Sequence, residues 1–204
     1  MRAIANFISI VFHPLLLTTY LTLLLCVFFP PMLMISPDKV WLVTVFVCLI
    51  TFVLPVLNLV IFRFLGNISS LALRDRRERI MPFFFISIIY IMVTVLFYYK
   101  LPVSSNLVRL LIIISALVTV AAIITVFYKV SIHSMAMWGG IGILLPLNKV
   151  VETGDLLYPT AGVIVITGLV MSSRLILNAH VPREILIGSL VGFVVGFTGM
   201  VMLF

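Results

Sequence analysis

The segment SRLILNAHVPREILIG, residues 173–188, concentrates polar side chains that could carry out phosphate chemistry. Arg174 offers a planar fork of donors that matches phosphate oxygens and stays charged in a partly dry setting. His180 could act as a nucleophile, with Glu184 holding its tautomer and stabilising the imidazolium. Because Pro182 suits the first turn of a helix, we expect His180 just before that helix and Glu184 in its first turn. The alternative is that Glu184 only caps the helix.

Composition indicates that these residues belong to a membrane protein. The 204 residues are 64% hydrophobic and have a mean hydropathy of +1.37, an apolar excess that excludes a soluble globular domain. A spanning helix needs about 20 mostly apolar residues. We therefore expect one all-α domain over 1–204, a polytopic transmembrane helical bundle of about seven spans. The predicted spans are 7–29, 40–62, 82–99, 107–127, 135–148, 159–172 and 184–204. The first is longer than a signal core and should stay as a helix.

The net charge of +7 indicates which partners to expect. In a chain embedded in a bilayer, an excess of basic over acidic residues favours anionic lipid headgroups or phosphate as partners over nucleic acid. With seven spans, most of the basic residues fall on the side of the amino terminus. The positive-inside rule then predicts that this side is cytoplasmic, and we expect the chain in a bacterial inner membrane.

Three polar clusters fall on that same side of the predicted bundle: LRDRRERIMPF at 73–83, KVSIHS at 129–134 and SRLILNAHVPRE at 173–184. Segments that return repeatedly to one side can bring these clusters together at one mouth of the bundle. Arg74 and Arg79 could then join Arg174 around a phosphoryl group. His133 could act as a general acid while His180 acts as the nucleophile. This predicts one shared site at a membrane surface.

The remaining polar residues within the predicted spans favour structural roles. His13 precedes Pro14, and although an ionisable group in a membrane is a functional hypothesis, we favour a neutral imidazole bonded to a carbonyl that the proline frees. Asn58 is expected to hydrogen bond between helices. Cys26 and Cys48 are expected to pack as small hydrophobes. Because carboxylates near the histidines are few and arginines would repel a cation, we expect no metal and no other cofactor.

Residues 173–188 resemble the third signature of the type 2 phosphatidic acid phosphatase superfamily, the lipid phosphatases and haloperoxidases. That signature runs Ser-Arg, five residues, His, three residues and Asp. Ser173, Arg174 and His180 match it in register. Glu184 stands where the family has Asp, which keeps the carboxylate and adds one methylene.

The segment VSIHS, residues 130–134, resembles the second signature of the same superfamily, Pro-Ser-Gly-His. Ser131 and His133 match, whereas Val130 replaces the Pro and Ile132 replaces the Gly. The loss of glycine matters because the family brings backbone close to the phosphate there, and a β-branched residue is stiffer.

The first signature, Lys, six residues and Arg-Pro, is matched in part by the segment that ends at Pro82. Arg74 takes the position of the Lys and Met81 that of the Arg, while Arg79, two residues earlier, could serve instead. Two apolar segments follow where the family has a short loop. The resemblance therefore implies a six-helix lipid phosphatase core plus one further span.

The resemblance implies a metal-free phosphatase of lipid phosphates or pyrophosphates. His180 would attack phosphorus and form a phosphohistidine, Glu184 would orient it, and His133 would protonate the leaving oxygen. The non-bridging oxygens would be held by Arg174, Arg74, Arg79 and Ser131. Two alternatives stay open: a catalytically impaired relative that binds or moves anionic lipids, and a membrane scaffold whose polar clusters are solvated loops. The family's site faces away from the cytoplasm, in contrast to the charge count.

Overall fold

The computed structural model describes residues 1–71, 73, 75–101, 103–150 and 155–204. Over these residues the chain is helical and has no strand, so the all-α class is confirmed. The helices, in chain order, are α1 (Arg2–Val11), α2 (Leu17–Phe28), α3 (Pro30–Leu33), α4 (Val40–Cys48), α5 (Leu54–Phe64), α6 (Arg76–Lys100), α7 (Ser105–Phe127), α8 (Ile132–Val150), α9 (Leu157–Ile176) and α10 (Pro182–Leu203). A 3-10 turn at Pro14–Leu16 joins α1 to α2, and a π-helical turn at Leu49–Val53 joins α4 to α5.

Six helical segments of the described chain are long and apolar enough to cross a membrane. They are Arg2–Phe28, Pro37–Phe64, Arg76–Lys100, Ser105–Phe127, Leu157–Ile176 and Pro182–Leu203. Their length and composition fit an integral membrane protein. The fifth predicted span, 135–148, falls within α8, which is not among the six, so a count of seven spans is not confirmed.

Helix α8 lies inside the bundle, which explains why, unlike the other long helices, it is not among these six segments. Ser134, Met135, Ile141, Ile143 and Leu144 are each at most 2% exposed. The helix contacts α2, α7 and α9, and it packs most extensively against α10. Because protein surrounds it in place of lipid, glycines and polar side chains can replace large apolar ones. A sequence of mixed polarity is therefore compatible with burial of the central part of this helix.

Glycines bring the backbones of α8 and α10 into direct contact. A Cβ atom added to Gly192 would lie 2.1 Å from the carbonyl oxygen of Met135, and one added to Gly196 would lie 2.3 Å from the carbonyl oxygen of Gly139. No side chain could occupy either position at this separation, as in close helix pairs of other membrane proteins. The contact fixes the amino-terminal ends of the two helices relative to each other.

The apolar core lies between the long helices, and buried hydroxyl groups cross-link it. Leu25, Val47 and Phe97 are at most 1% exposed. The hydroxyl group of Tyr90 donates to the carbonyl oxygen of Thr51 at 2.7 Å. This bond ties α6 to the π-helical turn, whose carbonyl groups lack the regular α-helical pattern.

Candidate active site

His180 and Glu184 form a hydrogen-bonded pair at the start of α10. The helix begins at Pro182, and Glu184 lies in its first turn. Nδ1 of His180 lies 2.6 Å from Oε2 of Glu184, and the His180 side chain is buried. Nζ of Lys129 lies 4.0 Å from the same carboxylate oxygen. Because a carboxylate accepts hydrogen bonds, Nδ1 carries the proton and Nε2 of the neutral ring keeps its lone pair.

The environment of His180 keeps its imidazole neutral. Burial lowers the pKa of His180 from 6.5 to about 4, although the hydrogen bond to Glu184 opposes that shift. The positive charges of Arg79 and Arg174 lower this pKa further. At neutral pH the ring is therefore an available nucleophile, held in one tautomer by its carboxylate partner.

Arg79, in the first turn of α6, is 5% exposed and tied to two backbone carbonyl groups. Its Nε donates to the carbonyl oxygen of Leu73 at 2.6 Å, and one terminal nitrogen donates to Val130 at 3.3 Å. Met81, at the position of the family's arginine, is 53% exposed and points away from the site. Arg79 lines the cavity described below, and Met81 does not. The predicted phosphate ligand Arg74 lies outside the described residues.

Arg174, in the last turn of α9, has a buried nitrogen without a protein acceptor. Within the part of the chain that the structure describes, its Nε has no hydrogen-bond partner. A buried guanidinium donor that lacks an acceptor costs free energy, which an anion bound beside it would recover. This arrangement suits a phosphate oxygen.

Ser131, predicted to contact phosphate, is turned away from the other site residues. It is fully buried, and its hydroxyl oxygen lies 2.9 Å from that of Ser134. Its backbone nitrogen donates to the carbonyl oxygen of Glu184 at 3.2 Å. The serine thus connects the segment before α8 to the first turn of α10, and its side chain does not line the cavity described below.

His133, in the first turn of α8, is held by the broken first span. Helix α1 ends at Val11, so carbonyl groups of its last turn lack helical N–H partners. Nε2 of His133 lies 3.1 Å from the carbonyl oxygen of Ser9 in that turn, and the hydroxyl group of Tyr20 donates to Val11 at 2.8 Å. Since a carbonyl oxygen only accepts, Nε2 of His133 carries a proton and Nδ1 of the neutral ring does not.

Among the described residues, His13 makes no hydrogen bond to a carbonyl group, contrary to the prediction; His133 instead bonds the carbonyl group of Ser9, in the last turn of α1. Nδ1 of His13 accepts from the backbone nitrogen of Leu15 at 3.3 Å, which caps the 3-10 turn. Its ring lies edge-on to the ring of His133, with the centroids 5.7 Å apart. The sequence shows that His13 is an ionisable residue beside a proline within a predicted span. No sequence pattern predicts that its ring contacts His133.

A cavity of about 140 Å³ brings these groups together. The arginine and histidine side chains that line it are His13, Arg79, His133, Arg174 and His180. The last four lie at helix ends on one side of the bundle, so three polar clusters that are far apart in sequence meet here. Glu184 contacts His180, and Lys129 lies close to the carboxylate of Glu184.

The cavity continues from its polar end into the apolar interior of the bundle. Among its apolar lining residues are Phe83, Ile86, Tyr90, Ile114, Leu117 and Val118. Arg79 and Tyr90 both line it and lie eleven residues apart on α6, which corresponds to about 16 Å along the helix axis. The cavity therefore suits an amphiphile with an anionic head and an apolar chain.

Comparisons with models of protein families, with curated proteins and with solved structures found no match. Within the described ranges, no three His, Cys, Asp or Glu side chains gather as potential metal ligands. The functional interpretation therefore depends on the side chains around the cavity.

Proposed function

We propose that this protein is a membrane phosphatase that hydrolyses a lipid phosphate or pyrophosphate through a phosphohistidine intermediate, without a metal ion. The observation that carries the proposal is the His180–Glu184 pair, with 2.6 Å between Nδ1 and Oε2, in a site where two arginines line the same cavity. A neutral histidine with a fixed tautomer, beside arginine donors, is the arrangement that nucleophilic phosphoryl transfer requires.

In the first step, Nε2 of His180 attacks phosphorus and the bond from phosphorus to the leaving oxygen breaks. Glu184 stabilises the positive charge that develops on the imidazole. The doubly protonated His133 gives a proton from Nδ1 to the leaving oxygen, because the negative charge of the bound phosphate favours that form. In the second step, water attacks the phosphohistidine, His133 accepts a proton from it, and the P–N bond breaks to free His180.

The arginines bind the non-bridging oxygens of the phosphoryl group. Arg174 supports this role because its buried Nε lacks a protein acceptor among the described residues. Arg79 supports it because bonds to Leu73 and Val130 hold its guanidinium group at the cavity wall. Hydrogen bonds to charged groups contribute about 1.5–3 kcal/mol each.

The apolar extension of the cavity favours a lipid over a water-soluble phosphate. A chain that enters between α6 and α7 would contact apolar side chains along its length, and each buried methylene contributes about 0.8 kcal/mol. By the charge count, the site faces the cytoplasm from a bacterial inner membrane. The bilayer then delivers the substrate directly to the mouth of the cavity.

The proposal is tested by phosphate release from a panel of lipid phosphates and pyrophosphates, with purified protein and excess chelator. Wild-type protein should release phosphate, and His180→Ala should abolish both turnover and a trapped radioactive phosphoenzyme. His133→Ala should lose about 10²–10⁴-fold in rate on alkyl esters and recover part of it on substrates with a good leaving group. Turnover that requires an added divalent ion would contradict the mechanism.

A catalytically impaired protein that binds anionic lipids is the second candidate, because one nitrogen of His133 already bonds Ser9. It predicts that non-hydrolysable alkylphosphonates bind in an arginine-dependent manner while lipid phosphates are not turned over. The scaffold alternative has less support, since solvated loops would expose their charges whereas Arg79 and His180 are 5% and 6% exposed.

A further inference from the structure

His13 is a third histidine of the cavity, and its contacts leave one of its nitrogen atoms free for a ligand. Nδ1 accepts a hydrogen bond from the backbone nitrogen of Leu15, so this atom is unprotonated. The neutral ring must then carry its proton on Nε2. No described residue hydrogen bonds Nε2, and the ring lines the cavity together with Arg174 and His180. His13 therefore presents an N–H donor to whatever occupies the cavity.

The tautomer of His133 makes this donor important. In the neutral form of that ring, the only N–H group is on Nε2, which lies 3.1 Å from the carbonyl oxygen of Ser9. His133 can offer a donor to the substrate only when it is doubly protonated. His13 offers one without gaining a proton. The two rings lie edge-on with their centroids 5.7 Å apart, and both line the cavity, so both are near the same ligand.

We propose that Nε2–H of His13 donates a hydrogen bond to the leaving oxygen of the substrate and stabilises the negative charge that develops there. This inference rests on the proposed phosphatase function, which already assigns the nucleophile to His180 and the transferred proton to His133. His13 transfers no proton. It acts as a fixed donor aimed at developing charge, in a site that contains the buried side chains of Arg79 and His180.

The position of His13 agrees with this role. The apolar part of the cavity extends from the polar end toward Tyr90, so a lipid chain and the oxygen that joins it to phosphorus lie on the inner side of the phosphoryl group. His13 belongs to the first span and caps the turn at Pro14–Leu16, of which Pro14 and Leu15 also line the cavity. The alternative is that the imidazole only caps this turn.

Two substitutions distinguish the role of His13 as a hydrogen-bond donor to the substrate from its role as a cap of the turn. In His13→Asn, the side-chain oxygen can replace Nδ1 as the acceptor from Leu15, since asparagine is a strong cap, but the Nε2–H donor is lost. In His13→Gln, an amide nitrogen can replace Nε2–H, but the cap is lost. Asparagine should therefore preserve thermal stability and impair catalysis, whereas glutamine should lower stability and preserve most of the catalysis.

The assay compares an alkyl phosphate with a phenyl phosphate that carries an alkyl chain of matched length. A phenolate is a better leaving group than an alkoxide, so its departure depends less on a hydrogen bond to the leaving oxygen. For His13→Asn, kcat on the alkyl ester should fall between about 10- and 100-fold, as for the loss of one hydrogen bond to a charged oxygen. The fall on the phenyl ester should be less than tenfold. Melting temperature in detergent should stay near that of the wild type.

Other outcomes overturn the inference. If His13→Asn hydrolyses the alkyl ester at the wild-type rate, His13 is only a cap. If both esters lose rate equally, His13 does not act on the leaving oxygen. In both of these cases wild-type turnover leaves the phosphatase function intact. If wild-type protein hydrolyses neither ester, the proposed function fails and the inference fails with it.

Discussion

Replacement of Gly192 by alanine should disrupt the helix pair that positions the candidate site. The new Cβ atom would lie 2.1 Å from the carbonyl oxygen of Met135, and 2.8 and 2.9 Å from its carbonyl carbon and Cα. All three atoms belong to the backbone, so no side-chain rotation relieves the overlap. Ordinary carbon–oxygen contacts begin near 3.3 Å, so α10 must move away from α8 by about 1 Å.

The magnitude follows from two opposing effects. Overpacking of a tight core costs about 1–3 kcal/mol, whereas alanine in place of glycine gains about 1 kcal/mol of helix propensity. In Gly192→Ala the overlap should exceed the propensity gain and lower the stability. Because α8 carries His133 and α10 carries Glu184, the same shift displaces the proposed proton donor from the partner of the proposed nucleophile. A misplacement of about 1 Å can cost about 100-fold in kcat.

Gly168→Ala on α9 is the matched control, because a Cβ atom there would meet nothing within 4 Å. Thermal unfolding in detergent should show that Gly192→Ala melts below the wild type, while Gly168→Ala melts at the same temperature or above it. Phosphate release from the best lipid substrate should fall only in Gly192→Ala. If the two variants were equally stable and equally active, the direct backbone contact between α8 and α10 would be refuted.

Three further predictions concern the charged groups. Because burial lowers the pKa of His180 to about 4, the proposed nucleophile stays neutral above that pH, so the acid limb of kcat/KM from that group should lie well below pH 6.5. Glu184→Gln keeps a hydrogen-bond acceptor but removes the negative charge that raises this pKa, so it should move the limb lower still and reduce kcat. Arg174→Lys should lower kcat/KM about 10- to 100-fold through loss of its planar fork, whereas Arg183→Lys, exposed and outside the cavity, should change little. Cysteines placed singly at the exposed positions Arg77 and Arg183 should react alike with an impermeant thiol reagent, and a mixed result would contradict a shared face.

The sequence was most informative where the relevant interactions are local. Pro182 starts α10, and the spacing from His180 to Glu184 brings imidazole and carboxylate together across that helix start. Both features depend on residues within one turn of each other, so propensity and spacing are enough to predict them. The all-α class also follows from composition, since a chain this apolar satisfies its backbone groups in lipid by forming helices.

The burial of α8 and the place of Arg79 needed the packed structure. The segment 135–148 reads as one more apolar run, and hydropathy does not distinguish burial in protein from burial in lipid. The structure buries most of this segment against neighbouring helices. Counting residues back from Pro82 puts Met81 at the signature position. The helix direction at that point turns Arg79 to the cavity and Met81 outward.

The contacts of His13 and His133 were decided by tertiary structure alone. His133 bonds Ser9, which lies 124 residues earlier in the chain, and its ring contacts His13 across a helix break. The sequence by itself determined that the break occurs, because Pro14 has no N–H group and cannot continue the helical hydrogen bonding. It did not determine which side chain would take the freed carbonyl group, because that depends on the glycine-mediated approach of α8 and α10 and on the packing of α1 against α9. Local bonding thus placed the groups on their helices, and the close packing of distant helices decided which of them meet.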